Sequence, residues 1–126
     1  MKYYLGDILS EQETIRVDQI SRVLAVLIAE NEEYSYVDKL GYVVSPDLAV
    51  YYLREALRDY SSLTTKTKWD NPRAREEANK IKMEYVEKEI QDIARINDPK
   101  EIRKIVSLIA ARALARANYL RGGGEK

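Results

Sequence analysis

A chain of 126 residues with 45% hydrophobic and 33% charged residues, zero formal net charge, no cysteine and no histidine has the size of one domain and is too apolar for disorder. Without cysteine there is no disulfide or thiolate site. Without histidine the commonest transition-metal ligand and general base is gone, so only hard-cation carboxylate ligation would remain; no cofactor and no transition metal are expected.

The opening residues, Met1-Lys2-Tyr3-Tyr4-Leu5-Gly6-Asp7, lack a signal-peptide core, and no apolar run approaches the ~20 residues of a membrane span, which predicts a soluble cytoplasmic protein. Ser10 with Glu13 has the spacing of a reciprocal helix cap. Behind it Ile15, Val17, Ile20, Val23, Leu24, Leu27 and Ile28 recur with a period near 3.6. This predicts an amphipathic helix from Glu11 to about Glu30 with one broad buried face. Between 31 and 44, Ser35 to Leu40 suits one helical turn, Gly41 fits its C-terminal cap, and Tyr42 to Val44 reads as extended.

All three prolines follow residues that cap helices: Ser45-Pro46, Asn71-Pro72 and Asp98-Pro99. Proline at the first helical position loses nothing, because that N–H has no intrahelical partner. Pro46 thus opens a helix to about Tyr60, with Leu48, Tyr52, Leu53, Ala56, Leu57 and Tyr60 on its buried side. Ser, Thr and Lys break the pattern over 61–70, which reads as a loop. Pro72 opens a third helix to about Ile96, on which Ala78, Ile81 and Tyr85 drift into a narrow seam of Met83, Val86, Ile90 and Ile93. Asp98 and Glu101 cap a last helix from Pro99 to about Leu120, with a core stripe of Ile102, Ile105, Val106, Ile109, Ala113, Ala117 and Leu120. The expected fold is all-α: one bundle domain over 1–121, with about four long helices and a short helical turn, and a flexible tail at 122–126.

Charge separates along the chain. Six basic residues face eleven acidic ones over 1–59, eight face seven over 60–97, and seven face three over 98–126. The first half is acidic and the end basic. Abundant Glu, Lys and Arg with short connections also fit an ion-pair-rich thermophile protein.

Two clusters stand out against this background. In the loop, Lys66, Lys68, Arg73 and Arg75 surround Trp69, the only tryptophan; cations that follow phosphates and a ring that stacks a base are the elements of single-strand binding. The competing reading is that Trp69 pins the loop to the bundle while the cations are solvated. On the last helix, Lys104, Arg112 and Arg116 fall within about 120° on a helical wheel, a rigid cationic face suited to phosphate. The competing reading is pairing with the acidic first half. The carboxylate pairs Glu32-Glu33, Glu76-Glu77 and Glu84 with Glu87 are expected on exposed faces, without the burial or charge partner that acid/base work needs. The triple glycine, with no strand before it and no helix after it, is not a phosphate loop.

Ile20-Ser21-Arg22-Val23-Leu24-Ala25, Tyr34-Ser35, Tyr36-Val37-Asp38-Lys39-Leu40, Leu53-Arg54-Glu55-Ala56-Leu57-Arg58 and the alanine-rich final helix with its basic, glycine-containing end resemble, in order and pattern over roughly two-thirds of the chain, the small helical subunit of CRISPR effector complexes. The resemblance is to the archaeal type I-A Cascade small subunit in particular. Some members carry a β-rich insertion where 71–96 reads here as helix, which keeps the type III small subunits as the nearest alternative. The resemblance implies a non-catalytic helical brick that stacks in a ribonucleoprotein and contacts nucleic-acid backbone, with Lys104, Arg112 and Arg116 as its patch.

The function expected is therefore non-enzymatic: binding of single-stranded RNA or DNA backbone within an assembly that includes other subunits or copies of this chain. The alternative is a helical protein–protein or self-associating module, of the sort viruses and plasmids encode, whose charges serve solubility and self-pairing.

Overall fold

The structure, a computed structural model, describes residues 11–42 and 45–122; the side chains of 11–17 and of residue 46 fall outside it. Among the described residues the fold is all-α, with six helices: α1 (Glu11–Asn31), α2 (Ser35–Gly41), α3 (Pro46–Leu63), α4 (Pro72–Lys80), α5 (Met83–Ala94) and α6 (Pro99–Leu120). None is long and apolar enough to cross a membrane.

The centre is α1. Every residue from Val23 to Ile28 is buried, so this stretch is enclosed on all sides rather than on one broad face, as an all-round apolar helix must be. Its longest partner is α6, and α3, α4 and α5 also touch it. The predicted α6 stripe is buried throughout, from Ile102 to Leu120. Each fully buried Leu or Ile contributes about 1.5–3 kcal/mol to the apolar core. The helix α1 ends where Glu32 turns to φ 55° and its N–H donates to Ile28 O at 2.8 Å, a left-handed C-terminal cap.

Two of the three proline-marked starts are capped by side chains. Asn71 accepts from the Ala74 N–H and Asp98 from the Lys100 N–H. Ser45 makes no such bond. Ser10 and residues 43–44 lie outside the described residues. Gly41 is the last residue of α2 rather than a left-handed cap, and Tyr42 closes the helix with φ −115°. The third helix runs on to Leu63, and its buried side is rotated: Ala49 is buried, whereas Leu48 is exposed. The hydroxyl of Tyr36 donates to Asp59, tying α2 to α3. Burial, and then this carboxylate, push the Tyr36 phenol above its ordinary pKa.

The largest departure from expectation is in the third predicted helix. The predicted helix from Pro72 to Ile96 is two helices, because Ile81 and Lys82 are extended, with ψ 131° and 110°. The cause is phase: on one uninterrupted helix Ala74 and Val86 would point about 120° apart. The break lets Ala74, Ile81, Val86, Ile90 and Ile93 all enter one core.

Candidate functional site

Both clusters can now be located. In the loop after α3 the central group is Glu30, at the end of α1. Its carboxylate accepts from Lys66 Nζ at 2.6 Å and from the Asp70 and Asn71 N–H groups at 2.9 Å each. Burial alone would raise its pKa, but these hydrogen bonds and the Lys66 charge outweigh burial and hold the carboxyl below its ordinary value. Trp69 packs against the core. Arg73 donates to Tyr119 O at 3.0 Å and covers the Tyr119 ring, 5.4 Å from its centroid. Lys68 and Arg75 are exposed. The loop therefore has a fastened tryptophan and one fastened lysine, while Arg73 turns to Tyr119.

The last helix presents a different arrangement. Arg112 and Arg116 face a cleft of about 540 Å³ bordered by α1, α4 and α6, whose lining also includes Asp18, Glu77, Lys80 and Tyr119. Arg112 Nη1 lies 3.1 Å from Asp18 Oδ1, and Arg116 Nη2 approaches the same oxygen at 4.0 Å while its Nη1 lies 3.4 Å from Glu77 Oε2. Behind them Arg22 Nε stands 3.5 Å from Asp18 Oδ2 and 3.6 Å from Glu77 Oε2. Pairing with the first half of the chain thus takes place through Asp18, and α4 supplies the second acid.

Glu77 was expected on a solvated face beside Glu76. Glu76 is exposed, but Glu77 is 4% exposed, because α4 is short and lies flat on α1, turning Ala74 and Glu77 inward together. A carboxylate buried there is tolerable only with cations about it, and Arg22 and Arg116 meet that need. Its negative charge, after burial itself, pushes the nearby Tyr60 phenol up to about 12; the Tyr60 hydroxyl donates to Ala78 O at 3.3 Å.

Three cations and two carboxylates line the cleft, with Arg22 as a fourth cation behind it. The carboxylates orient the guanidinium groups without using up their donors: Asp18 holds Arg112 through Nη1 alone, while Arg22 Nε faces both acids at ion-pair distance. A guanidinium offers five N–H groups in a fixed fork, so one edge can be held by protein while the other meets an oxyanion. At the rim Tyr119 is 54% exposed. Chemically the cleft can bind an anion; its carboxylates face arginines, an arrangement that holds charge in place.

Of the residues singled out in the sequence, Arg112 and Arg116 line this cleft and Arg73 reaches its rim through Tyr119. Lys104 sits two turns before Arg112 on α6, outside the lining, in an interaction of its own. Lys66, Lys68 and Trp69 belong to the loop. Tyr119, Lys80, Arg22 and Ser21, whose hydroxyl donates to Asp18 O, were not anticipated. A signal for Tyr119 existed, since 112, 116 and 119 share one helical face.

No family model matches the sequence, and no solved structure matches it. An uncharacterized protein of Archaeoglobus fulgidus is 56% identical over 110 residues, which cover 87% of this chain and 95% of that protein.

Proposed function

We propose that this chain, which belongs to the family of the uncharacterized Archaeoglobus fulgidus protein, is a non-catalytic subunit of a nucleoprotein assembly that binds single-stranded nucleic acid by its backbone in the cleft between α1, α4 and α6. The observation that carries the reading is the convergence of Lys80, Arg112 and Arg116 on one concave surface beside the exposed ring of Tyr119. Cations for phosphate and a half-exposed aromatic ring, on one face of which Arg73 lies, are the elements of sequence-tolerant strand binding. The likeness to CRISPR small subunits points the same way.

The test is anisotropy of a labelled single strand titrated at graded salt. Replacing Arg112 and Arg116 by Gln together should weaken binding and lower the salt dependence by about one to two phosphate contacts. Since Glu77 leans on Arg116, Lys80→Gln serves as a second variant that breaks no ion pair described here; it should lower the dependence by about one contact. Absence of binding at low salt, or unaltered binding in both variants with the helical spectrum intact, overturns the reading.

A second reading has one observation behind it. Tyr34, Leu114, Ala117, Asn118 and Arg121 line another hollow, and Leu114 and Tyr34 are 44% and 41% exposed, which suits contact with another subunit or a second copy of this chain. Leu114→Glu should shift the sedimentation coefficient of any self-associated species toward the monomer and leave strand binding in place.

A further inference from the structure

We infer that the cleft recognises a terminal phosphate monoester, so that the strand is held by its end; this rests on the strand-binding reading above. The first argument is charge. Lys80, Arg112 and Arg116 exceed Asp18 and Glu77 by one positive charge in the lining, and Arg22 behind them brings the surplus to two. A phosphodiester carries one negative charge, whereas a phosphate monoester carries about 1.5 to 2 at neutral pH and presents three strong acceptor oxygens. The monoester matches the surplus.

The second argument is what the acids do to a longer ligand. A strand running across the cleft would carry further phosphates past Asp18 and Glu77, which repel every anion beyond the one that the arginines hold. One end avoids this. A volume of about 540 Å³ also lies within the range of roughly 300–1,000 Å³ typical of small-ligand pockets, which suits a terminal nucleotide rather than a track.

The third argument is the donors. Arg112 and Arg116 meet at one oxygen of Asp18, at 3.1 and 4.0 Å, so the two guanidinium groups stand close enough to share a single ligand. Asp18 holds Arg112 through Nη1, and a guanidinium carries five N–H donors, so the Arg112 fork keeps donors for a ligand. A group with three acceptor oxygens can satisfy donors converging from several directions, which a diester with two free oxygens does less completely. Asp18 and Glu77 are positioning residues here: they aim the guanidinium groups and set how much charge the site accepts.

Terminal phosphates occur on strand ends and on free nucleotides, and the experiment separates the two. Anisotropy is measured on the full chain with a short oligothymidylate carrying a 5′-phosphate, a 3′-phosphate or hydroxyls at both ends, and thymidine 5′-monophosphate is added as competitor. One phosphorylated strand should bind at least about tenfold more tightly than the hydroxyl strand, the effect of one added charge-assisted contact. A strand that outcompetes the mononucleotide identifies the strand end as the source; equal competition identifies the free nucleotide and keeps the monoester assignment. Arg112→Lys, which keeps the charge and loses the fork, and Lys80→Gln should each cut the preference several-fold. Equal affinity for all three strands overturns the inference and leaves backbone binding standing. Preference unchanged in both variants removes it from this cleft, and no binding of any probe overturns both readings together.

Discussion

The loop at 64–71 and the cleft between α1, α4 and α6 are made of the same ingredients, cations, an aromatic ring and a buried carboxylate, and they end in opposite states. In the loop one acid, Glu30, takes Lys66 and two backbone N–H groups, Trp69 packs partly buried against the core, and Lys68 alone of its cations is left exposed. In the cleft two acids are met by three lining cations and by Arg22 behind them, and the ring stays at the surface. What decides between scaffold and site is therefore the surplus: a cation whose charge and donors are fully taken by its own protein offers a ligand nothing.

The comparison can be broken most forcefully at Glu30. Glu30→Ala leaves Lys66 and two N–H groups without their acceptor, and should lower stability by about 2–4 kcal/mol in thermal or urea unfolding, with strand affinity of the folded protein unaltered. If affinity falls in step, the loop belongs to the site after all. The two rings come next. Tyr119→Ala should weaken strand binding by roughly 1–3 kcal/mol with an unchanged salt slope, while Trp69→Ala should reduce stability by a similar amount, about 1–3 kcal/mol, through lost packing and leave binding intact. Exchanged outcomes would reverse the assignment of the two regions.

A pH titration sharpens it further. The folded pKa of Glu30 lies below the ordinary 4.5, so the folded state binds fewer protons than the unfolded one and the stabilisation is fully present above that value. It is lost as pH falls through the lower folded pKa. The melting difference between wild type and Glu30→Ala should hold at neutral pH and narrow only below about 4.5. The smallest effect is expected at exposed Lys68: Lys68→Gln should move stability by no more than about 0.5 kcal/mol and leave the salt slope of binding where it was.

Local signals were legible in the sequence and long-range ones were not. Asn71-Pro72 and Asp98-Pro99 mark helix starts because the cap, the proline and the satisfied N–H all lie within four residues. The α6 stripe and the shared face of Arg112 and Arg116 follow from periodicity alone. The break at Ile81 and Lys82 does not, since it answers to the direction in which Val86 and Ile90 must point toward α1 and α3. The burial of Glu77 has the same origin: its neighbour Glu76 is just as charged, and only the way α4 lies on α1 separates them. Lys80 joins Arg112 in one cleft for that reason as well. For Trp69 the sequence left both readings standing, because composition cannot tell whether a ring faces in or out.

The junction of α4 with α6 has a dynamic consequence. Asn71 both accepts from the Ala74 N–H with Oδ1 and donates with Nδ2 to Leu120 O at 3.2 Å, and Arg73 holds Tyr119 O. The positive end of one helix dipole thus meets the negative end of another, bound by side chains that precede it by 46 and 49 residues. A last turn held in this way does not fray alone. For α6 to open at its end, the first turn of α4 must let go too, so the amides of Ala74 and Arg121 belong to one cooperative unit whose hydrogen exchange rises and falls together.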